Sequence, residues 1–367
     1  MTTMHKKITK ADIGATIVFG QFYIYFLYLY MKNPLVLATF FFMSVLTLSF
    51  IKINTQYKFY YQFFFIYLIV LLTFSLISKE YEFYISMYNL LYLYTALNAA
   101  YFMVNSSLGL FFAKACFFSY SIFLSYFIFK FGNDVDAYNT ILDGSSRNYL
   151  SAISIFLTIN FYIHLKLYSN KVVLYPAIIN LILCAFLFGR SGIALSFAIL
   201  LVILFDYNKK IFICISFIAT ITVITNYNLI NSFLIEKSNF ALGVESERTL
   251  FRKEYLNHIF NNSEFIRGRA ISNCCTYIQS YGNPHNSFIM GHMRYGISHS
   301  ILALIIISFI LIKRDLIMIF FTLIIYSRYF LDQLGLFTHF DFIIFSILFI
   351  LIKSTSYKIN SSKLSHP

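Results

Sequence analysis

Between residues 232 and 296 the sequence gathers Arg248, Arg252, Arg267, Arg269 and Arg294 with His258, His285 and His292. Guanidinium forks bind phosphate oxygens in pairs. Arg248 and Arg252, one helical turn apart, therefore suit a diphosphate. A neutral imidazole can take a proton from a hydroxyl, and His285 stands at Pro284-His285-Asn286, just ahead of an apolar run. A further arginine, Arg190, lies between two apolar runs in FLFGRSGIALSF. An ionisable residue at membrane depth is costly and marks a site by default, although an arginine can also snorkel to a headgroup region. Plainer readings stand beside these. The arginines can pair with Glu245, Glu247 and Glu254 on a solvated helix face. His285 can bond locally, and His258 and His292 suit that role better.

The elements that must position these groups are membrane helices. Of 367 residues, 59% are hydrophobic and 12% are charged, against about 25% charged in soluble domains. That excludes an ordinary soluble enzyme, a disordered chain and a coiled coil. The 45 Phe and 30 Tyr follow a general Phe/Ile/Tyr/Asn/Lys excess and are not by themselves a ligand signal. Spans of roughly 17–25 apolar residues are predicted at 13–31, 35–51, 59–77, 83–104, 107–129, 149–165, 172–189, 191–206, 211–231, 297–312, 316–331 and 340–352. These make an all-α polytopic membrane protein of about twelve transmembrane helices.

Charge sorting supports the count. With a cytoplasmic N-terminus, the inner segments hold Lys6, Lys7, Lys10, Lys52, Lys58, Lys166, Lys171, Lys209, Lys210, Lys313, Arg314, Lys353, Lys358 and Lys363. The short outer connections hold only Lys32, Lys79, Lys130, Arg147 and Arg190. This follows the positive-inside rule and puts both termini inside. It also explains much of the net charge of +13, for which loop bias is the first reading ahead of nucleic acid. The first apolar run is longer than the 7–15-residue core of a cleaved signal, so it is expected to be a retained span.

Three regions follow: 1–231 with nine spans and a smaller outer loop at 130–148, a large outer loop at 232–296, and 297–367 with three spans and an inner tail. Long loops are usually functional or disordered. Aromatic and aliphatic residues run through 232–296, so this loop is expected to be ordered against the membrane core. Within it Ser246 should cap a helix running to Asn261-Asn262, with Arg248, Arg252, Tyr255 and Ile259 on one face. Cys116, Cys184 and Cys214 sit in apolar runs, and the adjacent Cys274 and Cys275 are poorly placed to bridge; all five read as thiols. Asp134-Val135-Asp136 has a form that can hold a divalent cation, but this spacing is common in loops and no metal is assigned. Arg328 and Asp332, four apart at a helix end, suit a local salt bridge. Lys114 falls inside a span without explanation.

Three motifs together resemble those of the O-antigen polymerase (Wzy type) and O-antigen ligase family: Gly189-Arg190-Ser191-Gly192 at a helix end, Ser246-Glu247-Arg248 before a helix, and His285-Asn286-Ser287-Phe288-Ile289 at the close of a long outer loop. The order and the number of spans are also similar. The motifs cover about 185–296, and each is short. The chain departs from the family at Phe265-Ile266-Arg267-Gly268-Arg269-Ala270, which keeps one glycine of an apolar-Gly-x-Gly turn.

What the resemblance implies is a GT-C-like glycosyltransferase in a bacterial inner membrane, with its active site in a periplasmic loop. The donor and acceptor would be oligosaccharides on undecaprenyl pyrophosphate, met at the membrane lipid surface, with no cofactor. A chain-length regulator protein is an expected partner. His285, Arg248 and Arg190 would be catalytic. Arg252, Asn286, Arg267, Arg269, Arg294 and Tyr255 would bind substrate. A ligase acting on lipid A core is the nearest alternative. A lipid-linked oligosaccharide flippase fits less well, because the chemistry sits in one outer loop. A chain-length regulator itself would have two spans and a coiled coil, which this pattern lacks.

Overall fold

The computed structural model describes residues 8–78, 83–142, 145–169, 171–227, 247–261, 264–270, 275–281 and 284–364. Among these residues every regular element is helical. Each predicted span overlaps a helix: α1 (Lys10–Met31), α2 (Pro34–Leu48), α3 (Thr55–Ile77), α4 (Phe83–Asn105), α5 (Gly109–Phe131), α6 (Arg147–Tyr168), α7 (Tyr175–Phe186), α8 (Arg190–Tyr207), α9 (Lys209–Thr225), α12 (Ser287–Ile312), α13 (Leu316–Leu331) and α14 (Phe342–Leu364). The large loop adds α10 (Glu247–Asn261) and α11 (Thr276–Tyr281). Six helices, α1, α3, α5, α6, α8 and α12, are long and apolar enough to cross a membrane, while α2, α7 and α13 are shorter apolar helices. Side chains on the perimeter fit that reading: Phe59, Phe65, Phe129, Phe217 and Ile224 all lie exposed. Soluble proteins rarely show so much contiguous apolar surface.

The centre is α6. Every residue from Leu150 to Leu165 is buried, so the helix is enclosed on all sides rather than along one stripe. Its polar groups bond inside the bundle: Ser154 Oγ donates to Asn180 Oδ1 at 2.7 Å, and His164 Nδ1 lies 2.9 Å from the Asn160 carbonyl. The visible turns of α14 from Phe342 to Ile352 are likewise buried.

Contacts divide the bundle into two poles. At one, Asp12 closes a capping box with Thr9 at the start of α1. Its Oδ1 also accepts from Ser106 Oγ at 2.8 Å and from the Ser107 N–H at 2.9 Å, in the turn between α4 and α5. Lys353 Nζ donates to the Val104 carbonyl at 2.9 Å, and Lys166 Nζ pairs with Asp315 at 2.7 Å. These residues carry the basic segments expected on the inner side. The opposite pole holds the starts of α6, α8 and α12 and the end of α13.

At that second pole the described residues of the large loop pack against the start of α12. Phe251, Tyr255 and Ile259 of α10 join Cys275, Ile278, Ile289 and Met293 in a small apolar core of their own. Ser246, expected to cap α10, lies outside the described residues. One expectation is corrected here: Cys275 is disulfide-bonded rather than a thiol. One is extended: a helical stretch from Ser287 precedes the span predicted at 297–312, and α12 runs through both across a break at Gly296.

The sequence break at Gly296 is a kink inside the helix, with φ 54 and ψ −149. A kink frees backbone groups that must find other partners. Here the Ile297 N–H donates to the Ile266 carbonyl at 3.0 Å, and the Met293 carbonyl accepts from Ser78 Oγ at 2.6 Å. The segment 264–270 thus seats itself in the kink. A Cβ on Gly296 would lie 2.0 Å from the Ile266 oxygen, and one on Gly268 (φ 78) would lie 2.2 Å from the His292 oxygen. The single glycine retained in the Arg267-Gly268-Arg269 turn is therefore the one the backbone approach requires.

Candidate functional site

The site is built on the second pole. A cavity of about 410 Å³ opens there, lined by Lys32, Asn139, Ser145, Ser146, Tyr149, His285, Asp332 and Gln333 with apolar neighbours. Its wall therefore comes from four separate stretches of chain. His285 enters it from the link between α11 and α12. Its backbone is left-handed, with φ 46, a conformation that is unusual for a non-glycine residue and persists only when its surroundings enforce it.

The next two residues supply the enforcement. Asn286 caps α12: its Oδ1 accepts from the Phe288 N–H at 2.9 Å and the Ile289 N–H at 3.0 Å, while Nδ2 donates to the Phe330 carbonyl at 2.9 Å. Ser287 Oγ donates to the Asp332 carbonyl at 2.9 Å and accepts from the Leu334 and Gly335 N–H groups. The His-Asn-Ser run is thus bolted to residues 330–335. The His285 ring stacks on Phe251 of α10 with centroids 6.2 Å apart.

The same stretch holds the arginine turn. Arg328, one turn before the end of α13, is fully buried. Its Nη2 pairs with Asp332 Oδ2 at 2.9 Å, as the four-residue spacing predicts. It does more than that. Nη1 donates to Ser191 Oγ at 2.6 Å, and Nη2 donates to the Asn148 carbonyl at 2.5 Å. One guanidinium therefore joins α13, α8 and α6. The glycines of Gly189-Arg190-Ser191-Gly192 make this approach possible: a Cβ at Gly189 would meet Asn148 Oδ1 at 2.7 Å, and one at Gly192 would meet Ser151 at 2.8 Å. Arg190, first residue of α8, stands half-buried beside this junction.

Arg252 also reaches the frame. Its guanidinium lies 4.4 Å from the centroid of the Phe330 ring, in a cation–π contact, and its Nη2 donates to Thr249 Oγ1 at 3.1 Å. Asn286 and Arg252 therefore contact Phe330, His285 shares a cavity wall with Asp332, and Arg190 is the chain neighbour of Ser191, which Arg328 holds. The backbone of Arg248 lies one turn earlier on α10, and its side chain lies outside the described residues.

The other candidates group elsewhere, around the α12 kink. Tyr255 is buried, and its hydroxyl lies 2.8 Å from His292 Nδ1. His292 Nε2 lies 2.8 Å from the Phe265 carbonyl. A carbonyl only accepts, so Nε2 carries the proton and Nδ1 accepts from Tyr255. Arg269 pairs with Glu264 at 2.9 Å, Arg267 is exposed, and Arg294 is half-buried on α12. Among the residues lining the His285 cavity, none of these five appears.

Reading the sequence for sites passed over Lys32, Tyr149 and the wider role of Arg328. Arg328 alone carried a usable signal, as an arginine inside an apolar run. No group of three or more metal-binding side chains occurs among the described residues. Asp134 Oδ1 instead accepts from the Asp136 and Ala137 N–H groups at 3.2 Å, closing a turn ahead of a short 3-10 helix at Ala137–Thr140. Burial and the nearby Asp134 carboxylate push the Tyr138 phenol up, so it stays protonated and donates to the Gly132 carbonyl at 2.6 Å. Lys114 lies 6.0 Å from the Phe161 ring centroid.

No family model, curated protein or solved structure matches this chain. Any assignment of function therefore rests on these residues and on the sequence motifs.

Proposed function

We propose that this chain is an O-antigen polymerase of the Wzy type. In this reading it is a GT-C-like glycosyltransferase with twelve spans in a bacterial inner membrane and both termini cytoplasmic. It joins oligosaccharide repeat units carried on undecaprenyl pyrophosphate at the periplasmic face. One observation carries the reading. The two motifs that resemble the polymerase and ligase family, Gly189-Arg190-Ser191-Gly192 and His285-Asn286-Ser287, lie far apart in sequence, yet both fasten to residues 328–335 beside one polar cavity. A disulfide at Cys275 in the same loop suits an oxidising compartment.

The chemistry follows from the residue types. The acceptor hydroxyl oxygen forms a bond to the anomeric carbon of the donor sugar. The bond from that carbon to the pyrophosphate oxygen breaks, and its electron pair leaves with the lipid pyrophosphate. His285 orients the acceptor and takes its proton as general base. Fixed arginines meet the charge that grows on the leaving group: Arg190 and Arg248 as the main clamp, with Arg252 in support. Arg267, Arg269 and Arg294, further along the same loop, line the approach of donor or acceptor glycan, and the buried Tyr255 acts on it only through His292, to which it is bonded. A chain-length regulator acts on the assembled protein from outside this site.

Replacing His285 by Ala should abolish long-chain polysaccharide while the protein still inserts. Unchanged ladders on a lipopolysaccharide gel would remove His285 from the reaction. Deleting the gene separates the readings. One repeat unit left on core indicates a polymerase. Loss of all O-chain with lipid-linked polymer accumulating indicates a ligase, and units trapped inside indicate a flippase.

A further inference from the structure

Away from the His285 cavity, α3, α12 and α14 leave a second opening of about 200 Å³ between them. Its wall includes Phe59, Phe63, Ile305, Phe309, Leu348 and Ile352 and presents no polar surface. It lies toward the first pole. Phe59 stands in the first turns of α3, Phe309 near the end of α12, and Ile352 next to Lys353, which reaches the end of α4. Phe59 is itself exposed on the outside of the bundle, so the groove opens sideways, where a membrane's acyl chains would run.

Three cations stand next to groove residues along the chain or in contact with one of them. Lys58 directly precedes Phe59 and is exposed. Lys313 caps the end of α12, with its Nζ 5.2 Å from the Phe309 ring centroid. Arg314 follows and is exposed. The acid next along the chain, Asp315, pairs with Lys166 at 2.7 Å.

We propose that the groove holds an acyl chain of an anionic phospholipid, whose headgroup meets Lys58, Lys313 and Arg314. The apolar wall accepts the chain without stranding a polar group. The clustered cations select the headgroup charge, as basic segments at a membrane surface do. The site lies at the pole opposite His285 and stands independently of the reaction proposed above.

The full-length protein can be reconstituted in nanodiscs of equal phosphatidylglycerol and phosphatidylcholine, and its retained lipid counted by native mass spectrometry. The wild type should retain phosphatidylglycerol over phosphatidylcholine by about fivefold, given the strength of such surface cations. The triple variant Lys58→Gln, Lys313→Gln, Arg314→Gln should keep the lipid but lose the preference. Ile305→Trp, which fills the groove, should lose the retained lipid. No preference in the wild type, or a preference that survives in the triple variant, would overturn the proposal. So would an unchanged lipid count in folded Ile305→Trp. Displacement of phosphatidylglycerol by undecaprenyl phosphate at equal concentration would also overturn it, by making the groove a site for the carrier lipid. The triple variant changes only residues at the surface or helix end, so it keeps the test decisive if the tryptophan variant fails to fold.

Discussion

The two ends of α6 are each linked to α13 by an arginine or lysine contact, yet the contacts differ in kind. At the first turns, Arg328 is fully buried and its partner Asp332 is 12% exposed. At the last turns, Lys166 is 39% exposed and Asp315 is 27% exposed. Arg328 also joins Ser191 and the Asn148 backbone, whereas Lys166 donates to both carboxylate oxygens of Asp315, which also caps α13 through the Met318 N–H. A desolvated guanidinium cannot exchange its partners for water, so each bond fixes geometry. A solvated lysine can. Of the two links between α6 and α13, the one at the candidate site is therefore rigidly wired and the one at the opposite pole loosely wired.

The largest effect should follow from removing the wired group. Arg328→Ala removes the pairing with Asp332 and the bonds to the Asn148 carbonyl and Ser191, and so unties α8 from α13. Breaking a buried pair costs about 3–5 kcal/mol, enough to lower the thermal midpoint in detergent by many degrees or to abolish the folded peak on size exclusion. Arg328→Lys should recover only part of this, because an ammonium cannot span Ser191, Asn148 and Asp332 with a planar fork. A normal midpoint for Arg328→Ala would erase the contrast between the poles.

A second effect at the same pole comes from backbone alone. Gly296 adopts φ 54 and ψ −149, and a Cβ there would clash with the Ile266 oxygen. Gly296→Ala should cost about 1–3 kcal/mol and push the 264–270 segment out of the kink. Faster proteolysis after Arg267 or Arg269 would report that release, since trypsin cuts beside arginine. Unchanged digestion would mean that the kink does not hold the loop. Arg252→Ala, by contrast, should leave the midpoint nearly unchanged, because its cation–π contact with Phe330 is worth about 0.5–1 kcal/mol at a partly exposed site. Its effect should appear instead in polysaccharide length on a gel, which separates a substrate role from a structural one.

How much of this could be read from the sequence depends on whether the signal was local. Apolar runs are local, and every predicted span overlaps a helix. The helix after Ser246 was also legible, because caps and spacing are properties of a few neighbouring residues. The break at Gly296 was legible, and the apolar span does restart after it; the helical stretch from Ser287 to Tyr295 was missed because its Asn286 cap is fastened to Phe330 and its break is bridged by Ile266, both distant in sequence. The site was half legible. His285 and Arg190 stood out by type, but nothing near them pointed to Arg328, whose i,i+4 spacing to Asp332 accounts for one bond and conceals two others. Lys32 and Tyr149 gave no signal, since lining a cavity is a property of the assembled chain.

The smallest effect should be found at the loosely wired end, and it sharpens the contrast most cleanly. Lys166→Met removes the ion pair with Asp315 but keeps the apolar stem of the side chain. Exposed pairs of this sort contribute about 0.2–1 kcal/mol, so the midpoint should fall by a degree or two at most. Salt gives an internal control. A solvated pair is screened over roughly 10 Å at 0.1 M ionic strength, so the difference between wild type and Lys166→Met should shrink as salt rises, while that between wild type and Arg328→Ala should persist. Asp315 also accepts from the Met318 N–H at the start of α13, so Asp315→Ala should cost more than Lys166→Met despite removing the same ion pair. Equal losses for the two variants would mean that the pair, not the cap, is what Asp315 contributes.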